Sequence, residues 1–153
     1  MILASGRTVF GIDQSQAMLS CAHGKFPDGR IEKIGMQEMR YQEAFDSAIC
    51  VDAMEFVFPE NWRLILDNLH RALKPMGYLY FKVEIASEKD IENAFVAGQQ
   101  LGLPVVYGEW AHEGGYHYYP KIKQVKEWVR RAEFHLIEDA VGDEYHHFLV
   151  QKG

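Results

Sequence analysis

The thirteen glycines of this chain never fall as G-x-G. That excludes from these residues the glycine-rich loop that follows the first strand in nucleotide-binding α/β units. Cysteine is scarce too: Cys21 and Cys50 are too few for a disulfide framework and lack metal-ligand spacing, so no metal site is expected. No apolar run approaches the roughly 18 residues needed to span a bilayer. Residues 1–7 lack a positive segment before a long apolar core and do not read as a signal peptide. Basic residues never run beyond Arg130-Arg131, and the net charge of −6 disfavours a nucleic-acid surface. These absences predict a cytoplasmic chain with no membrane or nucleic-acid partner.

What is present reads as one domain over residues 1–153, with 48% apolar and 25% charged residues. Predicted strands and helices alternate, which argues for a mostly parallel sheet covered on both faces. Thr8 to Asp13 reads as a buried strand ending in a carboxylate, followed by a helix from an N-cap at Ser15 to about His23 and a turn at Pro27-Asp28-Gly29. Ile31 to Met36 is a modest strand, and the apolar run Ser47 to Asp52 again ends in an acid. Pro59 suits a first helical turn, and Trp62, Ile65, Leu66, Leu69 and Leu73 recur at helical spacing until Lys74-Pro75-Met76-Gly77 stops the helix. Tyr78 to Glu84 is a clear strand, and Ser87 with Asp90 opens a helix that closes at Gly102. The stretch from Pro104 to Pro120 reads as an irregular, aromatic loop. A helix with Ile122, Val125, Trp128, Val129 and Ala132 on one face follows. Two last strands, Phe134 to Val141 and Glu144 to Gln151, are joined by Gly142-Asp143 as a hairpin, so the final strand runs antiparallel.

Three constellations carry chemistry. Asp13 at a strand tip can accept both hydrogen bonds of a vicinal diol, or can serve as a helix cap. Asp52 and Glu55, in Val51-Asp52-Ala53-Met54-Glu55, lie where open α/β sheets bind ligands. Either can act as a general base or can support the following helix N-terminus. Gly114-Gly115-Tyr116-His117-Tyr118-Tyr119-Pro120 joins paired glycines to flat side chains with polar tips, suited to a small organic substrate. His117 and Tyr118 join Asp52 and Glu55 as the candidate catalytic set. His112 and His117 have no third ligand nearby, and His146-His147 point to opposite faces of a strand as edge and surface residues. Cys50 reads as a small buried hydrophobe.

Three ordered segments carry a resemblance: Val9 to Leu19 (VFGIDQSQAML), Phe45 to Cys50 (FDSAIC) and Leu69 to Leu79 (LHRALKPMGYL). They resemble the patterns G-[IV]-D-x-S-x-x-M-L, F-D-x-[IV] and R-x-L-[KR]-P-G-G of the class I S-adenosylmethionine-dependent methyltransferases, in particular the bacterial small-molecule type. The resemblance spans roughly residues 8–84. It implies a Rossmann-like methyltransferase sheet, mostly parallel with an antiparallel C-terminal hairpin, and S-adenosylmethionine as cofactor. By the same resemblance Asp13 binds the ribose hydroxyls, with Gln14 and Met18 near ribose and adenine and Met36 and Gln37 near the adenine ring. Val51, Asp52 and Glu55 line the passage to a small-molecule acceptor, whose pocket the Tyr116 to Tyr119 loop shapes.

The chain departs from that family in three ways. The first strand, its D-x-G-x-G-x-G loop and its helix have no counterpart, so the fold reads as N-terminally truncated. No acid stands at Gly35-Met36, where many relatives carry one at the adenine edge. Met76-Gly77 replaces paired glycines. In the family the missing strand lies between the strands at 8–13 and 47–52, and its loss leaves two edges open. Three resolutions are expected: a frame cut short of a longer gene, direct pairing of the two edges, or a homodimer that covers them. Methyl transfer to a small molecule is the leading function. The alternative is a non-catalytic methyltransferase-fold binding or interaction module. A nicotinamide-dependent oxidoreductase, which Asp13 alone would allow, is opposed by the final hairpin and the Arg71 to Gly77 turn.

Overall fold

The computed structural model describes residues 6–112 and 115–153, and the chain divides into two compact units, Met1–Arg40 and Tyr41–Gly153. In the first unit, β1 (Phe10–Asp13) pairs in parallel with β2 (Arg30–Lys33), and α1 (Gln16–Lys25) makes the crossover. Ser15 caps α1, its Oγ accepting from the Met18 N–H at 3.4 Å. The turn at Pro27-Asp28 closes through the Gly29 N–H donating to the Phe26 carbonyl at 2.9 Å. β2 is shorter than expected: it ends at Lys33, and Met36–Glu38 is a 3-10 turn. There the Gly35 N–H turns away from any ladder to the Glu38 carboxylate at 3.0 Å. Among the described residues of this unit, Leu19 and Met39 are the buried apolar side chains.

The second unit is built on a four-stranded sheet of order β3-β4-β8-β7. Its strands are β3 (Phe45–Cys50), β4 (Leu73–Glu84), β7 (Phe134–Gly142) and β8 (Tyr145–Lys152). β3 and β4 run parallel, whereas β8 is antiparallel to both β4 and β7, as the hairpin at Gly142-Asp143 requires. The fold is therefore α/β with a mixed sheet and antiparallel C-terminal strands. Among the described residues β1 pairs only with β2, and β3 only with β4.

Helix α2 (Trp62–Ala72) follows a 3-10 turn at Pro59–Asn61 and buries Trp62, Ile65, Leu66 and Leu69 on one stripe. α3 (Glu88–Gln100) starts at Ser87, whose Oγ accepts from the Asp90 N–H at 3.2 Å, and α4 (Ile122–Arg131) buries Val125 and Val129. Trp62 meets Trp128 at 5.0 Å between ring centroids, and Phe81 stacks on Phe148 at 4.9 Å, so rings tie both helices and strands into one core. Among the described residues, no helix is long and apolar enough to cross a membrane.

Three expectations need correction. Leu73 does not close α2 but opens β4, because tertiary pairing with Phe45 overrides its helical spacing. The ladder then shifts register between Phe45 and Ser47, and Lys74 to Gly77 bulges out with Met76 at φ 63°. The segment expected to be an irregular loop holds a hairpin of β5 (Glu109–His112) and β6 (Gly115–Tyr118), as its aromatic side chains favour; Gly114 lies outside the described residues. His146, expected at the surface, is buried and bonded to Asp139 at 2.7 Å.

Gly77 is required by a close approach. A Cβ there would lie 2.8 Å from the Lys74 carbonyl oxygen and 3.1 Å from that of Asp46, both backbone atoms. Gly77→Ala is expected to lower stability in urea denaturation by about 1–3 kcal/mol, the usual cost of overpacking. Met76→Gly relieves a left-handed residue at an entropic cost. It should be neutral to stabilising, by at most about 1 kcal/mol.

Candidate functional site

Parallel strands offer ligands their carboxyl ends, and the larger unit gathers its chemistry there. β3 stops at Cys50, two residues before Asp52, because Asp52 takes φ 50° and turns the chain out of the ladder. The carboxylate then reaches Lys82 on β4, with Oδ1 2.7 Å from Nζ. The same ammonium lies 3.4 Å from the ring centroid of Tyr145 on β8. The Asp52 hydrogen bond holds the Lys82 ammonium above the usual lysine range.

A 3-10 turn at Met54–Phe56 follows and drives Glu55 inward. Glu55 is 2% exposed, and its Oε2 has no hydrogen-bond partner among the described residues. Burial, foremost, pushes its carboxyl above the usual range, with further repulsion from Asp52 and Glu84. Burial and Glu55 also push the Cys50 thiol up to about 12, which fits an inert buried cysteine.

At the end of β4, Glu84 Oε2 lies 2.6 Å from His117 Nδ1, with the two side chains 22% and 19% exposed. The imidazole meets the edge of Phe56 at 5.0 Å and stacks near Tyr119 at 6.1 Å. Tyr118, the next residue on β6, faces the other way. It is 2% exposed, packed at 6.3 Å from Trp62 and 6.5 Å from Trp128, and burial pushes its phenol up to about 12. Strand alternation thus divides the two side chains paired in the sequence reading. Asp52, Glu55 and His117 share one end of the sheet, and Tyr118 belongs to the core beneath it. A cavity of about 440 Å³ lined by His70, Arg130 and His135 is at the other end, beside the start of β7.

In the smaller unit, Asp13 ends β1 and its Oδ1 accepts from the Ser15 N–H at 2.7 Å. Met18 is exposed on α1, and Met36 and Gln37 occupy the 3-10 turn after β2. Val51 lies in the larger unit, exposed just past β3.

Two acids escaped the sequence reading. Glu38 returns its carboxylate to Gly35, where the family's acid had seemed absent. Glu84 ends a strand just as Asp13 does, and the same strand-tip rule would have found it.

A carboxyl that is harder to ionise in the folded chain than in the unfolded one removes stability as pH rises through the ordinary glutamate range. Glu55→Gln should therefore raise the thermal midpoint relative to the parent at about pH 8 and lose that advantage near about pH 4. Differential scanning calorimetry at the two values reads the sign.

With that geometry in place, comparison with known proteins identifies the lineage. The methyltransferase domain family matches residues 1–81, more than half of the 153. An uncharacterized methyltransferase of Oceanobacillus iheyensis is 26% identical in a 141-residue alignment that covers 88% of this chain and 62% of that relative's length. A SAM-dependent methyltransferase of Methanosarcina mazei superposes with a TM-score of 0.84 at 14% identity, covering 99% of this chain and 84% of the other. The Burkholderia thailandensis 1,6-didemethyltoxoflavin-N1-methyltransferase, solved with 1,6-didemethyltoxoflavin and S-adenosylhomocysteine bound, gives 0.70 at 16% identity over 98% of this chain and 63% of its own. These two structures share the fold, and by the family match the chain belongs to the methyltransferase domain family.

Proposed function

We propose that this chain transfers a methyl group from S-adenosylmethionine to a small-molecule acceptor, working in the cytoplasm as one methyltransferase-like domain. The observation that carries the reading is the half-buried His117–Glu84 pair at 2.6 Å, at the carboxyl end of β4. In this reading Nδ1 faces Glu84 and the imidazole takes a proton from the acceptor. Asp52 and Glu55 line the approach and turn donor groups of the acceptor toward the ring. Tyr118 supports His117 from within the core. The Burkholderia relative, bound to a small heterocycle and S-adenosylhomocysteine, supports both the donor and the size of the acceptor.

The fit of the donor is testable on Asp13. One acceptor site of its carboxylate is used by the Ser15 N–H. A carboxylate offers about four such sites, so both ribose hydroxyls can still be held. Gln14 and Met18 then flank the ribose and adenine, Met36 and Gln37 the adenine ring, and Val51 the passage toward the acceptor. At the amino-acid end these 153 residues supply no G-x-G cradle. When bound, the donor supplies a methyl group activated on a sulfonium. The protein's own share is to position the acceptor and remove its proton.

Calorimetry of the chain against S-adenosylhomocysteine is expected to show binding, weakened by about 1–3 kcal/mol in Asp13→Ala, as for hydrogen bonds to a charged group. No heat at millimolar ligand would sink the reading and leave a non-catalytic binding module. β3 and β7 are the edge strands of the four-stranded sheet, and exposed edges favour pairing with a second copy. Light scattering should accordingly detect a homodimer, and a strict monomer at high concentration would count against it.

A further inference from the structure

Beside Glu84 the larger unit has a second, open cavity of about 240 Å³. Its wall combines the apolar Ile91 and Ile122, the rings of Tyr107 and Tyr119, and the carboxylates of Glu84 and Glu88. The size suits a single ring with a short chain. Lys121 is also on the wall, and its ammonium lies 5.0 Å from the centroid of the Tyr107 ring, so that ring already receives a cation. Burial, Glu92 and Glu88 together raise the Tyr107 phenol, and burial followed by Glu84 raises that of Tyr119 to about 12. Both rings therefore remain neutral phenols with electron-rich faces near neutral pH.

The charges on this wall favour one ligand class. An anionic group would meet two carboxylates and electron-rich ring faces. A neutral alcohol would gain no charge-assisted hydrogen bond. A protonated amine gains from the carboxylates and from the rings together. Glu84 joins the cavity to the chemistry, because the carboxylate on its wall is the one that holds His117 at 2.6 Å.

We propose that this cavity takes the methyl acceptor, and that the acceptor is a primary or secondary amine on a small apolar body, its ammonium held by Glu84 and Glu88 against Tyr107 and Tyr119 until it yields a proton to His117; the freed nitrogen lone pair would then take the methyl of the sulfonium, whose remainder would leave as a neutral thioether. The word acceptor rests on the methyl-transfer reading; the preference of the cavity for a cation does not.

The test titrates the full chain, without methyl donor, with phenylethylamine, phenylethanol and phenylpropionate. These share one ring and differ in the charge of the polar end. The amine is expected to bind at least about tenfold tighter than the other two, and Glu84→Gln and Glu88→Gln should each weaken it by about tenfold, the scale of a charge-assisted hydrogen bond. Glu88 is exposed in the first turn of α3, so its variant keeps the test valid if Glu84→Gln fails to fold. No heat from the amine, equal binding of phenylethanol, or amine affinity unchanged in the folded variants overturns the proposal. So does tighter binding of phenylpropionate that is lost in Lys121→Met, which would make Lys121 the anchor. Amine binding without S-adenosylhomocysteine binding would keep the pocket and sink the methyl-transfer reading. The reverse pattern would spare that reading and sink the pocket.

Discussion

Strand β4 is hydrogen-bonded along both edges, to β3 in parallel and to β8 antiparallel, and the larger unit is organised around it. A strand with both edges paired has no backbone left to offer water, and its buried face must be apolar. Leu79, Phe81 and Val83 alternate on that face, all fully buried. The pairing with β3 depends on one small residue. At Gly77 a Cβ would lie 2.8 Å from the Lys74 carbonyl oxygen, closer than side chains come to backbone, and a tight 3.1 Å from that of Asp46 on β3. That contact fixes the register from Ser47 against Tyr78 onward, and the register fixes which residue stands last on the strand. The last residue is Glu84. A steric constraint at one end of β4 is thus converted into the position of a carboxylate at the other.

That end of the sheet is costly for the protein to maintain. Asp52 and Glu84 both repel Glu55, and the cation acting on it, Lys82, is already bonded to Asp52. Glu55 adds a buried carboxyl oxygen with no partner among the described residues, a condition that usually costs stability. Apolar residues of similar volume would pack there at less cost. Retaining an acid in such a place is the pattern of a site that exchanges stability for chemistry. The arrangement also explains why burial dominates the behaviour of the surrounding tyrosines and cysteine, whose protonated forms suit a site already rich in negative charge.

Much of this was legible in the sequence where local chemistry decides the outcome. Helix α2 followed from its apolar stripe, both Ser15 and Ser87 act as caps, and the glycine link at 142–143 produced the C-terminal hairpin. One failure comes from a pairing partner that is distant in sequence. Leu73 fits the helical stripe perfectly, and only its partner Phe45 assigns it to a strand. The hairpin of β5 and β6 escaped because its strands are only four residues each. That omission had a consequence for the site. Read as a loop, His117 and Tyr118 could both face a substrate; on a strand, neighbours point apart, and only His117 reaches the acid cluster.

The smaller unit obeys a different economy. It buries few apolar side chains, Leu19 and Met39 among them, and its parallel ladder is four residues long. Its order therefore rests on polar contacts at chain ends more than on a core: Asp13 accepting from Ser15, Ser15 capping α1, Glu38 closing on Gly35. The residue that would hold a ribose is thus also the residue that starts the helix. A ligand that engages Asp13 would act on the same hydrogen-bond set that orders the unit, and by linkage its binding energy would add to the stability of the folded form. The two readings of Asp13, helix support and ribose hook, do not compete. The first leaves the carboxylate at the strand tip, where the proposed ribose role would use it.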